Sequence, residues 1–139
     1  MSRPLKIDDL IVWKLACEFE EGVLALLART PRAVRDAKFY SQLSDAATSV
    51  ASNVAEGFYR FNAAEFANFL RYSRGSVAEA ERRLRAGVRK GYWPQLAIEH
   101  WLHVAFRLGR AIKGLREYLL IAAARKRAAN TPRARSKPG

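Results

Sequence analysis

Cysteine, histidine and acidic residues are all scarce in this sequence, and each scarcity removes a class of chemistry. The single Cys17 can close no disulfide within the chain. It lies in an apolar helical pattern, where a packed and unreactive thiol is expected. The two histidines, His100 and His103, stand three apart, a spacing that could hold a metal. A di-iron helical bundle, however, needs two Glu-x-x-His motifs and further inward carboxylates, and the sequence has none of these. His103 also falls on the face opposite its helix's apolar stripe. The chain lacks a phosphate-binding GxxxxGK loop, a GxGxxG, a paired CxxC and a His-x-x-x-His. No metal, cofactor or enzymatic activity is therefore expected. No run of about 18 apolar residues occurs, so no membrane-spanning helix is expected. The opening MSRPLKIDDL has no signal-peptide core, and a cytoplasmic location follows as the expectation.

What is present is basic charge and helical periodicity. The 139 residues fit one compact domain, and half of them are apolar, enough to fill a core. Lys and Arg number 25 against 13 Asp and Glu, a formal net charge of +12. Such an excess attracts phosphate polymers and says nothing about fold. It is unevenly spread. Residues 118–139 carry +6 with no acid, residues 60–90 carry +5, and residues 8–29 carry −3.

Four segments repeat apolar residues at three and four, the mark of amphipathic helices. The first spans about 9–29 through Val12, Ala16, Phe19, Val23 and Leu26, with Asp8 and Asp9 suited to its start. Thr30-Pro31 ends it, because the residue before proline is pushed out of the helical region. The second spans about 36–56 through Phe39, Leu43, Ala46, Val50 and Val54, with Gly57 as its terminating glycine. The third opens at Asn62 with Glu65 three residues on, a capping-box variant. It runs through Phe66, Leu70, Ser73, Val77, Ala80, Leu84 and Val88 and stops at Gly91. The fourth begins with Pro94 at its first position and follows Ile98, Trp101, Ala105, Leu108, Ile112, Leu115, Leu119 and Ala122. The expected fold is all-α: an antiparallel up-down-up-down four-helix bundle over residues 1–129. Residues 130–139, with two prolines and no apolar face, are expected to form a disordered basic tail. Deleting residues 125–139 should then remove charge and leave the helical content unchanged.

The third helix carries the most informative pattern. At ~100° per residue, Arg71, Arg74, Arg82, Arg85 and Arg89 fall within a sector of roughly 80°, centred about 130° from the apolar face. No acid lies inside that sector. The guanidinium fork pairs bidentately with phosphate, so a stripe of five suits a polyanion. The plainer reading is a solvated face or a subunit contact. Glu81 can pair with Arg85 and Glu79 with Arg83 at i,i+4, which uses one stripe arginine. Arg60 sits among Phe58, Tyr59 and Phe61. Unpaired bases can stack on such rings, but covering the open end of the bundle is the favoured role for Phe58 and Phe61. Arg125, Lys126 and Arg127 add basic charge near the C-terminus. Trp13 and Tyr72, at or beyond the edge of the apolar faces, are candidate subunit contacts. The acidic first helix and basic third helix could meet head to tail.

The stretch Gln42-Leu43-Ser44-Asp45-Ala46-Ala47-Thr48-Ser49-Val50-Ala51-Ser52-Asn53-Val54-Ala55-Glu56-Gly57, followed by Arg60, resembles the signature of a bacterial family. That family includes the proteins encoded in 23S rRNA intervening sequences. Asp9-Leu10 with Val12-Trp13, Glu65-x-x-x-Phe69-Leu70 leading to Gly75-Ser76-x-x-Glu79, and Gly91-Tyr92 agree with it in order and spacing. One departure is visible: the family has basic residues where this chain has Ser44-Asp45. The resemblance implies a four-helix bundle and a homopentameric ring. It is similar in architecture to the accessory proteins of diversity-generating retroelements, which associate with RNA and a reverse transcriptase. Two functions are thus in view. The leading one is a non-enzymatic oligomeric bundle that binds RNA, with DNA as the other phosphate polymer. The alternative is a protein-interaction scaffold or accessory subunit of a reverse transcriptase. Asn53 and Ser76 match family positions and lie on apolar faces, where hydrogen bonds within the bundle would explain them.

Overall fold

A computed structural model describes residues 5–132, and those residues form helices with no strand among them. Five α-helices follow in order: α1 (Ile11–Ala28), α2 (Pro31–Arg35), α3 (Ala37–Phe58), α4 (Ala63–Arg89) and α5 (Glu99–Asn130). Four are long. Short 3₁₀ turns at Ile7–Asp9 and Gln95–Ala97 precede α1 and α5.

The expected apolar stripes form one core. Phe19, Val23, Leu43, Val50, Leu70, Leu84, Leu108 and Ile112 are among its fully enclosed residues. Helix α1 packs on α3 and α5, and α4 packs on the same two. Ser49 of α3 meets Ser76 of α4, while Gly57 meets Phe66. Rising numbers on one helix face falling numbers on the other. The same holds between α4 and α5, where Arg116 reaches Ala67 and Arg74 reaches Gly109. No helix among the described residues is long and apolar enough to cross a membrane.

Local signals place most helix ends. Asp36 caps α3 by accepting the Phe39 N–H at 3.2 Å, and Asn62 caps α4 by accepting the Glu65 N–H at 2.9 Å. Gly91, at φ +75°, closes α4. The Tyr92 N–H returns to the Gly87 carbonyl and the Gly91 N–H to that of Val88, the Schellman pattern.

Four expectations need correction, and a fifth, the end of α1 at Thr30-Pro31, holds but needs an addition. Asp8 and Asp9 do not cap α1. They belong to a 3₁₀ turn anchored by buried Ile7, and Leu10 occupies the cap position. Pro31 ends α1 but also starts α2, where its missing N–H costs nothing. Gly57 does not terminate the second helix. It lies within α3, where a Cβ would come within 2.8 Å of Phe66 and Phe69. Close approach of α4, rather than a left-handed turn, requires the glycine. Pro94 does not open α5. It precedes the 3₁₀ turn, and α5 starts at Glu99 and runs 32 residues to Asn130. Asn130 is therefore helical, and the tail expected from it lies, from residue 133 on, outside the described residues.

The fourth stripe also fades along its length. Val104, Ala105, Leu108 and Ile112 are buried, but Trp101, Leu115, Leu119 and Ala122 are only half-buried, and Ala123 is buried instead of Ala122. Helix α5 passes the start of α1 near Leu115, where the two line a shared cleft, and most residues of its later turns are exposed.

Candidate nucleic-acid interface

All five stripe arginines are exposed on the outward ridge of α4. Their surroundings differ. Arg71 takes the Asn68 side-chain oxygen at 3.1 Å and lies over the Tyr72 ring. Arg74 reaches across to α5 and donates to the Gly109 carbonyl at 3.4 Å. Arg82 is ion-paired with Glu79, which also receives Arg83 Nε at 2.8 Å. Glu79 thus serves two arginines, one more than the i,i+4 spacing implied. Glu81 lies among Arg85 and Arg74. Burial pushes its carboxyl up, and the two guanidinium groups pull it back down. Arg85 and Arg89 complete the ridge.

The ridge continues onto α5, which sequence reasoning missed. Arg74, Ala78 and Glu81 of α4 face Phe106, Arg110 and Lys113 of α5 across a shallow cleft of about 320 Å³. Phe106 is exposed, and Arg110 lies 5.9 Å from its ring centre. The signal was available: Arg107, Arg110 and Lys113 recur at i,i+3. It was masked because the charge of α5 is diluted over 32 residues. Which of these residues flank the α4 stripe is a tertiary fact.

The remaining predicted contacts separate. Arg60 is bound to Glu56 at 2.6 Å and lies over the Phe69 ring, which commits it to the end of α3. Arg125, Lys126 and Arg127 are exposed on the last turns of α5. Deleting residues 125–139 would therefore remove helix, contrary to the sequence expectation. Phe58 is half-buried and packs edge-on against Phe66, as a cover should. Phe61 gives little cover: it is 84% exposed and meets Phe58 and Tyr59 with ring centres 6.5 Å away. Trp13 leans on the core from α1, whereas Tyr72 is half-exposed and edge-on to Phe69. Larger apolar exposure lies elsewhere, at Ile11, Tyr118 (69%) and Ile121 (54%).

Part of the family-like sequence, from α3 and α4, lines the α3–α4 seam. Gln42, Asp45, Ser49, Asn53, Ser76 and Glu79 line one open groove of about 870 Å³. The Asn53 side-chain amide donates to the Ser49 carbonyl at 2.8 Å, and the Ser76 hydroxyl donates to Ser49 Oγ at 2.9 Å. Deeper in the seam, fully buried Ser73 donates to the Val50 carbonyl at 2.8 Å. The Ser76 and Ser73 bonds knit α3 to α4, one half-buried and one fully buried, while the Asn53 bond stays within α3. The groove is mixed in charge, with Asp45 and Glu79 among Arg71 and Arg83, so it offers a polyanion no net attraction. The departure at Ser44-Asp45 therefore adds a negative group to this groove.

Cys17 is half-buried, and burial followed by Glu20, Glu21 and Asp8 pushes its thiol up, away from the reactive thiolate. His100 faces Glu18 of α1 at 3.8 Å and packs edge-on to Trp101.

No curated protein matches the sequence. The family model described as 23S rRNA-intervening sequence protein matches residues 8–114, which takes in the first four helices, the α3–α4 seam and the whole arginine ridge of α4. The chain belongs to the family of 23S rRNA-intervening sequence proteins.

Proposed function

We propose that this protein binds RNA without catalysing a reaction, as an up-down-up-down four-helix bundle whose copies close into a ring in the cytoplasm. One observation carries the reading: an exposed row of arginines on α4 is extended by Arg110 and Lys113 of α5 into a two-helix basic face. Each arginine offers phosphate a planar pair of donors. Repetition around a ring would multiply weak contacts into avid binding. The family resemblance favours five copies, and exposed Tyr118 and Ile121 supply apolar surface for association.

The test is binding of a labelled RNA duplex across a range of salt. Affinity should fall steeply as salt rises, with the logarithmic slope near 0.9 per neutralised phosphate on DNA-like duplexes. Replacing Arg71, Arg74, Arg82, Arg85 and Arg89 together by Gln keeps helix propensity nearly constant. That variant should stay helical, bind at least tenfold more weakly and show a shallower slope. Unchanged binding would make the ridge a solvated face. A changed oligomer mass would make it a subunit contact.

A further inference from the structure

We propose that the loop joining α3 to α4, with the cleft beside it, binds single-stranded nucleic acid: unpaired bases stack on Tyr59 and Phe61, and Lys126 and Arg127 hold the backbone. The inference rests on the RNA-binding reading and adds a second site with its own preference. Tyr59 is 58% exposed and Phe61 84%. Phe58 and Phe66 already seal that end, edge to face at 6.1 Å. Tyr59 and Phe61 rest against Phe58, with ring centres 5.0 and 6.5 Å away, and still keep most of their surface in water. Phe61 also sits at φ +52°, in the left-handed region that a bulky side chain rarely adopts. That backbone holds a large apolar ring out in water.

The neighbouring surface has the complementary chemistry. Asn62, Ala63 and Ala64 at the start of α4, with Ala123, Lys126, Arg127 and Asn130 on α5, line a cleft of about 580 Å³. Two cations and no carboxylate line it, so it attracts a phosphate chain. Asn62 spends its side-chain oxygen on the Glu65 N–H, which leaves its amide hydrogens to donate. Arg60 is drawn away by Glu56 and Phe69, which leaves the phosphate contacts to α5. In a duplex the base faces are stacked on one another. Aromatic platforms of this kind therefore select unpaired bases, and the α4 ridge, which meets phosphate alone, does not.

Anisotropy measurements on a labelled oligouridine and on a labelled RNA duplex of similar charge separate the two sites. Replacing both Tyr59 and Phe61 by Leu keeps apolar bulk and removes the π-faces. Oligouridine should then bind roughly 5- to 100-fold more weakly, with duplex affinity and salt slope unchanged. Replacing Lys126 and Arg127 by Gln should weaken oligouridine binding and make its salt slope shallower, by about 0.7 per lost phosphate. Oligouridine carrying 5-iodouridine should cross-link to Tyr59 or Phe61 in the unaltered protein. Full oligouridine affinity in the Leu variant, equal losses on both RNAs, or cross-links confined to other residues would overturn the proposal. Duplex binding without oligouridine binding would overturn it and leave the α4 reading standing. Failure of the unaltered protein to bind either RNA would remove both.

Discussion

Asp36 does three jobs at once. Its carboxylate caps α3 through the Phe39 N–H, accepts the Tyr92 hydroxyl at 2.5 Å and faces Lys90 at 3.5 Å. The Tyr92 and Phe39 bonds hold its carboxyl below the usual carboxylate range; burial opposes them and Lys90 adds to them. A lowered pKa in the folded state means that the unfolded chain binds the proton more tightly. The stabilisation is present above the ordinary value of about 4 and is lost as pH falls below it towards the folded pKa. Asp36→Asn keeps a capping oxygen but no charge. Its melting temperature should lie below that of the unaltered protein at pH 7, and the gap should narrow between pH 5 and 3. Parallel melting curves that keep a constant gap across that range would show that Asp36 contributes no linkage. The start of the second helix near Asp36 was legible from the apolar run that follows it. The bond to Tyr92, 56 positions away, was not, because local pattern carries no information about a partner at that separation.

Helix packing turns on glycines whose reason is visible only across an interface. Gly87 of α4 lies under Trp93, which is buried and donates its indole N–H to the Leu84 carbonyl at 3.0 Å. A Cβ at Gly87 would come within 2.3 Å of the ring. Gly114 of α5 has nothing within 4 Å of that position. Ala is favoured over Gly within helices by roughly 1 kcal/mol, whereas overpacking a fixed core costs about 1–3 kcal/mol. Trp93 cannot swing aside without burying or losing its N–H partner, so the clash wins at Gly87. Chemical denaturation should show Gly87→Ala less stable by about 1–2 kcal/mol and Gly114→Ala more stable by up to about 1 kcal/mol. Equal effects of the two changes would contradict this assignment. In sequence both read alike, as weak spots in a helix. The helices themselves were legible because burial keeps apolar residues at three and four. The start of α5 was missed because Pro94 is an equally good opening for a 3₁₀ turn.

At the scale of the molecule, exposed apolar groups stand both within the basic face, as Phe106 does beside Arg110, and elsewhere. Basic residues gather along α4 and α5, while Ile11, Tyr118 and Ile121 stand out on α1 and α5. Surface charge alone makes a weak, screened contact, so association needs the apolar groups. Light scattering at moderate salt should give about five times the chain mass of 15.7 kDa. Tyr118→Glu with Ile121→Glu should reduce it by placing charge in the contact. A chain-sized mass for the unaltered protein would reject the ring. An unchanged mass for the double variant would move the contact to Tyr72 or the α3–α4 groove. Trp13, read from sequence as a contact, leans on the core and has less surface to offer a second copy.

The sequence by itself determined the helical class, the positions of most of the apolar stripes, the capping of α4, the basic balance and the arginine row of α4. Each is local or additive: a stripe follows from a period, a cap from a residue type and a net charge from counting. Only tertiary structure decided which stripes met. It placed Arg110 and Lys113 beside the arginine row, spent Arg60 on Glu56 and Phe69, and brought the family-like residues of α3 and α4 to one groove. It also left Tyr59 and Phe61 outside a seal that Phe58 and Phe66 complete, because the limited space between two packed helix ends, a property of neither helix alone, sets how many rings can enter.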